Sequence, residues 1–187
     1  MTELATHPRV DDILHRNREF AAAHDVAGLG LLPARQTIVL TCADPRVDPA
    51  IVLGLGLGDA VVIRNIAGRV TPATMRTIAL LGAIARKEAG NPEGEWALVV
   101  VHHTDCGITR LLDQQDALAA EFGVTPAQLD DEEISDPRRT LLADVSTLRA
   151  NPFLPKNLAV AGLLYDVQTG LVETVVAPDN PVEPRPT

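Results

Sequence analysis

The chain has 187 residues, of which 46% are hydrophobic, 22% are charged and 3% are aromatic, and its formal net charge is -9. The length predicts one domain over residues 1–187 with an aliphatic core. The acidic charge argues against nucleic acid or a membrane surface as a partner, and no apolar run approaches the roughly 20 residues of a membrane helix. Without a basic and apolar leader, the chain is expected to be cytoplasmic.

The first half of the sequence alternates between helical and strand patterns. Apolar residues from Val10 to Ala21 recur at helical spacing, and Asp48 before Pro49 has the pattern of a helix N-cap. The predicted elements are an N-terminal helical arm within residues 1–24, a strand at 37–41, a short helix from Pro49, a strand at 60–63, and a helix from Thr71 to about residue 88.

The second half continues this alternation and ends in a hairpin. The predicted elements are a turn-rich loop at 90–95, a strand at 96–101, helical segments near 108–113, 116–122 and 136–150, two hairpin strands within 158–167 and 171–176, and a proline-rich tail at 177–187. The acidic run at 129–136 is interpreted as a solvated loop leading into a helix. These elements predict an α/β fold with a mostly parallel central sheet flanked by helices and an antiparallel hairpin strand at one edge near the C-terminus.

Three metal-binding side chains follow the first and third predicted strands. Cys42 ends the first strand, and His103 and Cys106 follow the third. Ligands of such sheets bind beyond the carboxyl ends of the strands, so the three residues meet if these strands are neighbours. Two sulfurs and one nitrogen favour zinc, and three protein ligands leave a fourth position open, as in catalytic sites.

An acidic and a basic residue lie close to the first cysteine. Asp44 could fill the fourth position on the metal or lie beside it. Arg46 lies two residues further on, on the same side of an extended chain, and can bind the Asp44 carboxylate through two hydrogen bonds.

These motifs together resemble those of the β-class carbonic anhydrases. The pattern C-x-D-x-R at 42–46, then Arg64 with Asn65, then H-x-x-C-G at 103–107 is similar to the short bacterial branch of that family. The resemblance implies a dimer or a dimer of dimers, Zn²⁺ on Cys42, His103 and Cys106, and Asp44 with Arg46 as a catalytic dyad. It implies reversible hydration of carbon dioxide to bicarbonate by zinc-bound hydroxide, with Asp44 as a possible fourth ligand in a closed state.

Other functions are alternatives to that reading. The family commonly has R-N-A-G after its second strand, whereas Ile66 and Arg69 depart from that pattern here. Some similar proteins hydrolyse carbonyl sulfide or carbon disulfide with the same zinc site, and that is the principal alternative. A two-thiol redox protein and a non-catalytic zinc-binding module are further alternatives, although neither cysteine belongs to a C-x-x-C motif.

Two residues beside the predicted ligands allow more than one interpretation. His102 is expected to face away from His103, because successive side chains of a strand alternate. It is therefore expected to be packed in the core or to contact a metal ligand, and not to bind the metal itself. Asp105 is either the N-cap of the segment after Cys106 or a residue that contacts the metal ligands from outside.

Overall fold

A computed structural model describes residues 7–89, 96–155 and 158–179. The chain divides into two compact units, residues 1–31 and residues 32–187. In the first unit, helix α1 spans Pro8–Ala23, with proline in its first turn and the His7 side chain accepting a hydrogen bond from the Arg9 amide. No residue of α1 is buried, and apolar side chains such as Ile13 and Phe20 are exposed.

The second unit contains a five-stranded sheet in the order β2-β1-β3-β4-β5. Its strands are β1 (Thr37–Cys42), β2 (Ala60–Asn65), β3 (Ala97–His103), β4 (Ala159–Tyr165) and β5 (Val172–Val176). The first four strands are parallel, and β5 pairs antiparallel with β4 at the edge. This arrangement confirms the predicted α/β class, including the hairpin.

The pairing of β1 with β3 determines where the site forms. These two strands are parallel neighbours, with Thr41 opposite Val101, so their carboxyl ends meet at one edge of the sheet. Strands β2 and β3 both run two residues beyond the predicted ends. The apolar run stops earlier, but backbone pairing continues through polar residues, as where His103 lies opposite Tyr165.

The helices cover the sheet and connect its strands. The α-helices of the second unit are α2 (Pro49–Val52), α3 (Pro72–Ala89), α4 (Gln115–Phe122), α5 (Asp131–Ser135) and α6 (Pro137–Ala150). Short 3-10 helices span Ile66–Gly68, Gly107–Leu111 and Pro126–Gln128. The core contains α6 residues such as Leu141 and Leu148 together with strand residues such as Leu40 and Leu98, all of them buried. This aliphatic core agrees with the composition.

One predicted loop is a helix in the structure. Helix α5 lies inside the acidic run that was interpreted as a solvated loop. The Asp130 carboxylate accepts a hydrogen bond from the Glu133 amide at 3.0 Å. One of the acidic residues therefore caps the start of this helix. The predicted loop at 90–95 and most of the predicted tail lie outside the described residues. Within those residues, no helix has the length and apolar character needed to cross a membrane.

Gly68 allows the loop after β2 to pack against β1. Its φ is +68°, and a Cβ there would lie 2.8 Å from the Cys42 nitrogen and 2.9 Å from the Thr41 carbonyl carbon. Backbone cannot move aside as a flexible side chain can. Only glycine therefore fits this position next to Cys42 without a shift of the strand.

We expect Gly68→Ala to destabilise the protein by about 2–4 kcal/mol, because it combines overpacking with a left-handed backbone. Urea unfolding measures the change. The control is Gly28→Ala, since no atom lies within 4 Å of a Cβ at Gly28 and its φ is not in the left-handed range. Equal stability of the two variants would contradict the close contact between Gly68 and β1.

Candidate metal centre

The structure brings Cys42, His103 and Cys106 together at the carboxyl ends of β1 and β3. One possible ligand atom from each residue lies within 4.8 Å of the others, and the two sulfurs are 3.9 Å apart. Two sulfurs that share one tetrahedral zinc ion at about 2.3 Å are separated by about 3.8 Å. The spacing therefore fits one ion of that size.

The histidine is oriented with one ring nitrogen unused. The Nδ1 atom of His103 is 2.9 Å from the Thr104 carbonyl oxygen, and because a carbonyl only accepts, Nδ1 must carry the hydrogen. Nε2 is buried and has no hydrogen-bond partner among the described residues. A neutral imidazole with one nitrogen fixed in this way offers the lone pair of the other to a metal.

The two thiols influence each other's ionisation. A hydrogen bond from Cys106 lowers the pKa of Cys42, against burial, and His103 and the Asp44 amide lower it further. The same hydrogen bond raises the pKa of Cys106, which keeps the proton, and burial adds to that rise. One sulfur is thus readily a thiolate, and a cation that replaces the shared proton would stabilise both.

Arg46 binds Asp44 through two parallel hydrogen bonds. Nε donates to Oδ1 at 3.0 Å and Nη2 donates to Oδ2 at 2.8 Å. The predicted pairing of Asp44 with Arg46 is present. The prediction assumed an extended backbone between these two residues, and the structure does not have one there. The Arg46 amide donates to Asp44 Oδ1 at 2.9 Å, so the backbone turns here. The Arg46 side chain holds the pKa of Asp44 at about 2, so this carboxylate is ionised at neutral pH.

Arg64 supports the same segment from the neighbouring strand. Nε donates to the Cys42 carbonyl at 3.0 Å, Nη2 to the Asp44 carbonyl at 2.7 Å, and Nη1 to the Asp48 carboxylate at 3.0 Å. Ion pairing at the strand end was the main interpretation of Arg64 from the sequence, and its contact with Asp48 agrees with that interpretation. Its hydrogen bonds to the Cys42 and Asp44 carbonyls were not predicted; they form because parallel pairing of Cys42 with Asn65 places Arg64 beside the end of β1.

The two ambiguous residues have distinct surroundings in the structure. Asp105 does not cap the next helix, whose N-cap is Cys106 without a side-chain hydrogen bond. Its carboxylate instead accepts a hydrogen bond from Arg46 Nη1 at 2.8 Å. His102 is buried, with Nε2 at 3.3 Å from Asp144 Oδ2, and is therefore outside the cluster of possible ligands.

Arg69, which departs from the family pattern, belongs to a partly buried network around the buried Asp144. Its Nε donates to Asp144 Oδ2 at 3.0 Å, and its Nη2 donates to Glu133 at 3.3 Å. Asp144 also accepts a hydrogen bond from the Val70 amide at 3.1 Å. This network ties the loop after β2 to α6, and its charged groups are paired as burial requires.

A mostly parallel sheet thus carries a possible Cys-His-Cys metal site at its carboxyl edge, with an aspartate held by arginine beside it. The chain belongs to the carbonic anhydrase family, whose model matches residues 37–172, which confirms the resemblance drawn from the motifs.

Similar proteins include two kinds of enzyme. Beta-carbonic anhydrase 1 of Mycobacterium tuberculosis is 29% identical over 167 residues, covering 88% of this chain and 96% of its own. Carbon disulfide hydrolase of Acidianus sp. is 29% identical over 165 residues, covering 75% and 77%. The crystal structure of a carbonic anhydrase from Streptococcus mutans superposes with a TM-score of 0.71 at 30% identity, covering 91% of this chain and 99% of that one.

Proposed function

We propose that the protein catalyses the zinc-dependent, reversible hydration of carbon dioxide to bicarbonate. The observation that carries this proposal is the arrangement of Cys42, His103 and Cys106 beside a carboxylate that Arg46 binds with both of its oxygens. Membership of the carbonic anhydrase family supports the reaction, and the likeness to beta-carbonic anhydrase 1 supports the substrate.

Cys42 and Cys106 would hold the zinc as thiolates and His103 as a neutral imidazole through Nε2. Zinc supplies a nucleophile at neutral pH, because it lowers the pKa of a coordinated water toward about 7. With these three residues as its protein ligands, the metal would keep a further position for that water. Cys106 packs against an apolar cluster that contains Ile108 and Leu118, so buried apolar side chains close one side of the site.

Asp44 would orient the nucleophile. With a pKa of about 2 it is ionised at neutral pH, and an ionised carboxylate only accepts hydrogen bonds. It would therefore accept the hydrogen of the nucleophile, which would leave a lone pair of the nucleophile free to attack carbon. Arg46 binds both carboxylate oxygens and would restrain Asp44 from turning toward the metal.

A paired assay on zinc-loaded protein tests the proposal. Proton release on mixing with dissolved carbon dioxide is measured by stopped flow, and sulfide release is measured with carbonyl sulfide and with carbon disulfide. We expect rapid hydration of carbon dioxide and little sulfide. Protein with full zinc occupancy and no turnover on any of the three gases would contradict the proposal and favour a zinc-binding module.

Hydrolysis of carbon disulfide or carbonyl sulfide is the second candidate. The likeness to carbon disulfide hydrolase favours it, since that relative covers three-quarters of this chain at the same identity as the carbonic anhydrase. The same nucleophile would attack the carbon atom of either substrate. Sulfide release faster than hydration in the paired assay would select this candidate.

We also propose that α1 packs on a second subunit in a homodimer or a dimer of dimers. The helix buries none of its residues, although Val10, Ile13, Leu14 and Phe20 are apolar. An amphipathic helix gains most of its stability from a packed apolar face, so a partner surface is expected.

Deletion of residues 1–24 is expected to yield monomers or aggregates, measured by light scattering after size exclusion. The control removes the exposed ion pair of Asp12 and Arg16, 2.9 Å apart, by alanine substitution at both positions. That variant should stay assembled, because exposed ion pairs contribute about 0–1 kcal/mol. A truncated chain that elutes as an intact dimer would contradict the role of α1.

A further inference from the structure

Arg46 is shared between two carboxylates. Besides its two bonds to Asp44, its Nη1 donates to Asp105 Oδ2 at 2.8 Å and its Nη2 donates to the Asp105 carbonyl oxygen at 2.9 Å. One guanidinium thus makes two hydrogen bonds to each residue. The planar fork of arginine fixes its orientation when both sides are engaged in this way.

Asp105 lies in the short segment between two of the proposed metal ligands, His103 and Cys106. Its φ is +51°, a left-handed conformation that is uncommon for residues other than glycine. In this conformation its side chain and its carbonyl oxygen both face Arg46. The guanidinium therefore joins the segment after Cys42 to the segment between the other two ligands, across 59 residues of sequence.

We propose that Asp105 is a positioning residue that keeps Asp44 away from the metal by anchoring Arg46. This inference rests on the proposed function. Asp44 and Arg46 form a closed pair that could move as one unit toward the fourth position on the metal. Bonds from Arg46 to a segment fixed by two ligands prevent that movement, so Asp44 stays in place as a hydrogen-bond acceptor.

The simplest rival explanation is an ion pair of no consequence at the surface. The side chains of Arg46 and Asp105 are 45% and 51% exposed, and pairs of that exposure often contribute little to stability. The two explanations differ at the metal. If Arg46 and Asp105 form only a surface ion pair, removing it leaves the fourth position on the metal unaffected. If Asp105 anchors Arg46, removing the pair changes how often Asp44 occupies that position.

The test compares Asp105→Gly with Asp105→Asn in protein loaded with cobalt(II) in place of zinc. Glycine keeps the left-handed backbone and the carbonyl but removes the side-chain acceptor, and asparagine keeps an acceptor and tolerates positive φ. Azide is titrated into each protein, and binding at the metal is followed by the visible spectrum of cobalt. Metal content and circular dichroism confirm loading and folding.

We expect azide binding about fivefold weaker or more in Asp105→Gly, because occupation of the fourth position by Asp44 lowers the competent fraction. Asp105→Asn should remain within about twofold of the unchanged protein. Loss of the Asp105 charge alone would strengthen anion binding in both variants, so the expected effect has the opposite sign. If Asp105→Gly does not fold, Asp105→Ala takes its place.

A double variant identifies the occupant. Asp44→Ala combined with Asp105→Gly should recover azide affinity, because no carboxylate is left to compete for the metal. Equal or tighter azide binding in Asp105→Gly would overturn the proposal. That result would leave the proposed function standing, since failure of the proposed function is seen separately, as absent turnover in the unchanged zinc protein.

Discussion

Cys106→Ser is expected to reduce bound zinc from about one equivalent per chain to nearly none, and to abolish activity with it. Two thiolates and one imidazole form the whole proposed ligand set, and a serine hydroxyl is not ionised at neutral pH, so it cannot replace the Cys106 thiolate. Elemental analysis of the purified variant measures the metal. Undiminished zinc would remove Cys106 from the site.

The adjacent histidines provide a matched control for this experiment. His103→Gln should lose zinc, because one ring nitrogen of His103 lies within 4.8 Å of both sulfurs and its Nε2 has no hydrogen-bond partner among the described residues. His102→Gln should keep it, because the His102 side chain lies beside Asp144 instead. Loss of zinc from a folded His102→Gln protein would show that the wrong histidine has been assigned.

Arg46→Ala is expected to keep its zinc and to lose activity by about 30- to 1,000-fold. Removal of a charge-assisted pair of hydrogen bonds is worth on the order of 2–4 kcal/mol if it acts on the transition state. All three proposed ligands remain, so the metal stays, but Asp44 is free to take the fourth position. Turnover, zinc content and melting temperature are measured together on the same preparation.

Asp44→Ala distinguishes two proposed effects of Asp44, which are orientation of the nucleophile and occupation of the fourth position on the metal. This variant should also be inactive, yet with an accessible metal, because nothing remains to accept the hydrogen of the nucleophile. If the pair only braced the end of β1, both variants would melt at lower temperature and retain near-normal turnover per folded molecule. A folded, zinc-loaded and fully active Arg46→Ala protein would refute the gating role of Arg46.

The sequence predicted the parts of the site that follow from local pattern. Strand patterns that stop at Thr41 and at Val101, shortly before Cys42 and His103, indicate strand ends, and the parallel topology then brings those ends together. The partnership of Asp44 with Arg46 was also correctly expected, although a turn and not an extended chain creates it. Asp44 and Arg46 are only two residues apart, so their side chains could be expected to meet whichever backbone conformation lies between them.

Other parts depend on contacts that local pattern does not contain. Asp105 reaches Arg46 across 59 residues and in a left-handed conformation, and Arg69 reaches Asp144 across 75 residues. Helix α5 was not predicted, because a run of acidic residues is as typical of a solvated loop as of a capped helix start. Each of these depends on which segments the folded sheet brings together.

The neighbouring placement of β1 and β3 has a consequence for how the chain folds. Cys42 precedes Cys106 by 64 residues, so the unfolded chain offers a metal only the local pair formed by His103 and Cys106. The third proposed ligand would join them when β1 and β3 pair, and a bound ion would then act as a cross-link that closes a long loop. On the proposed ligand set, metal affinity and folding would therefore be thermodynamically linked. Free zinc should raise the unfolding free energy logarithmically with its concentration, and chelation should remove that gain.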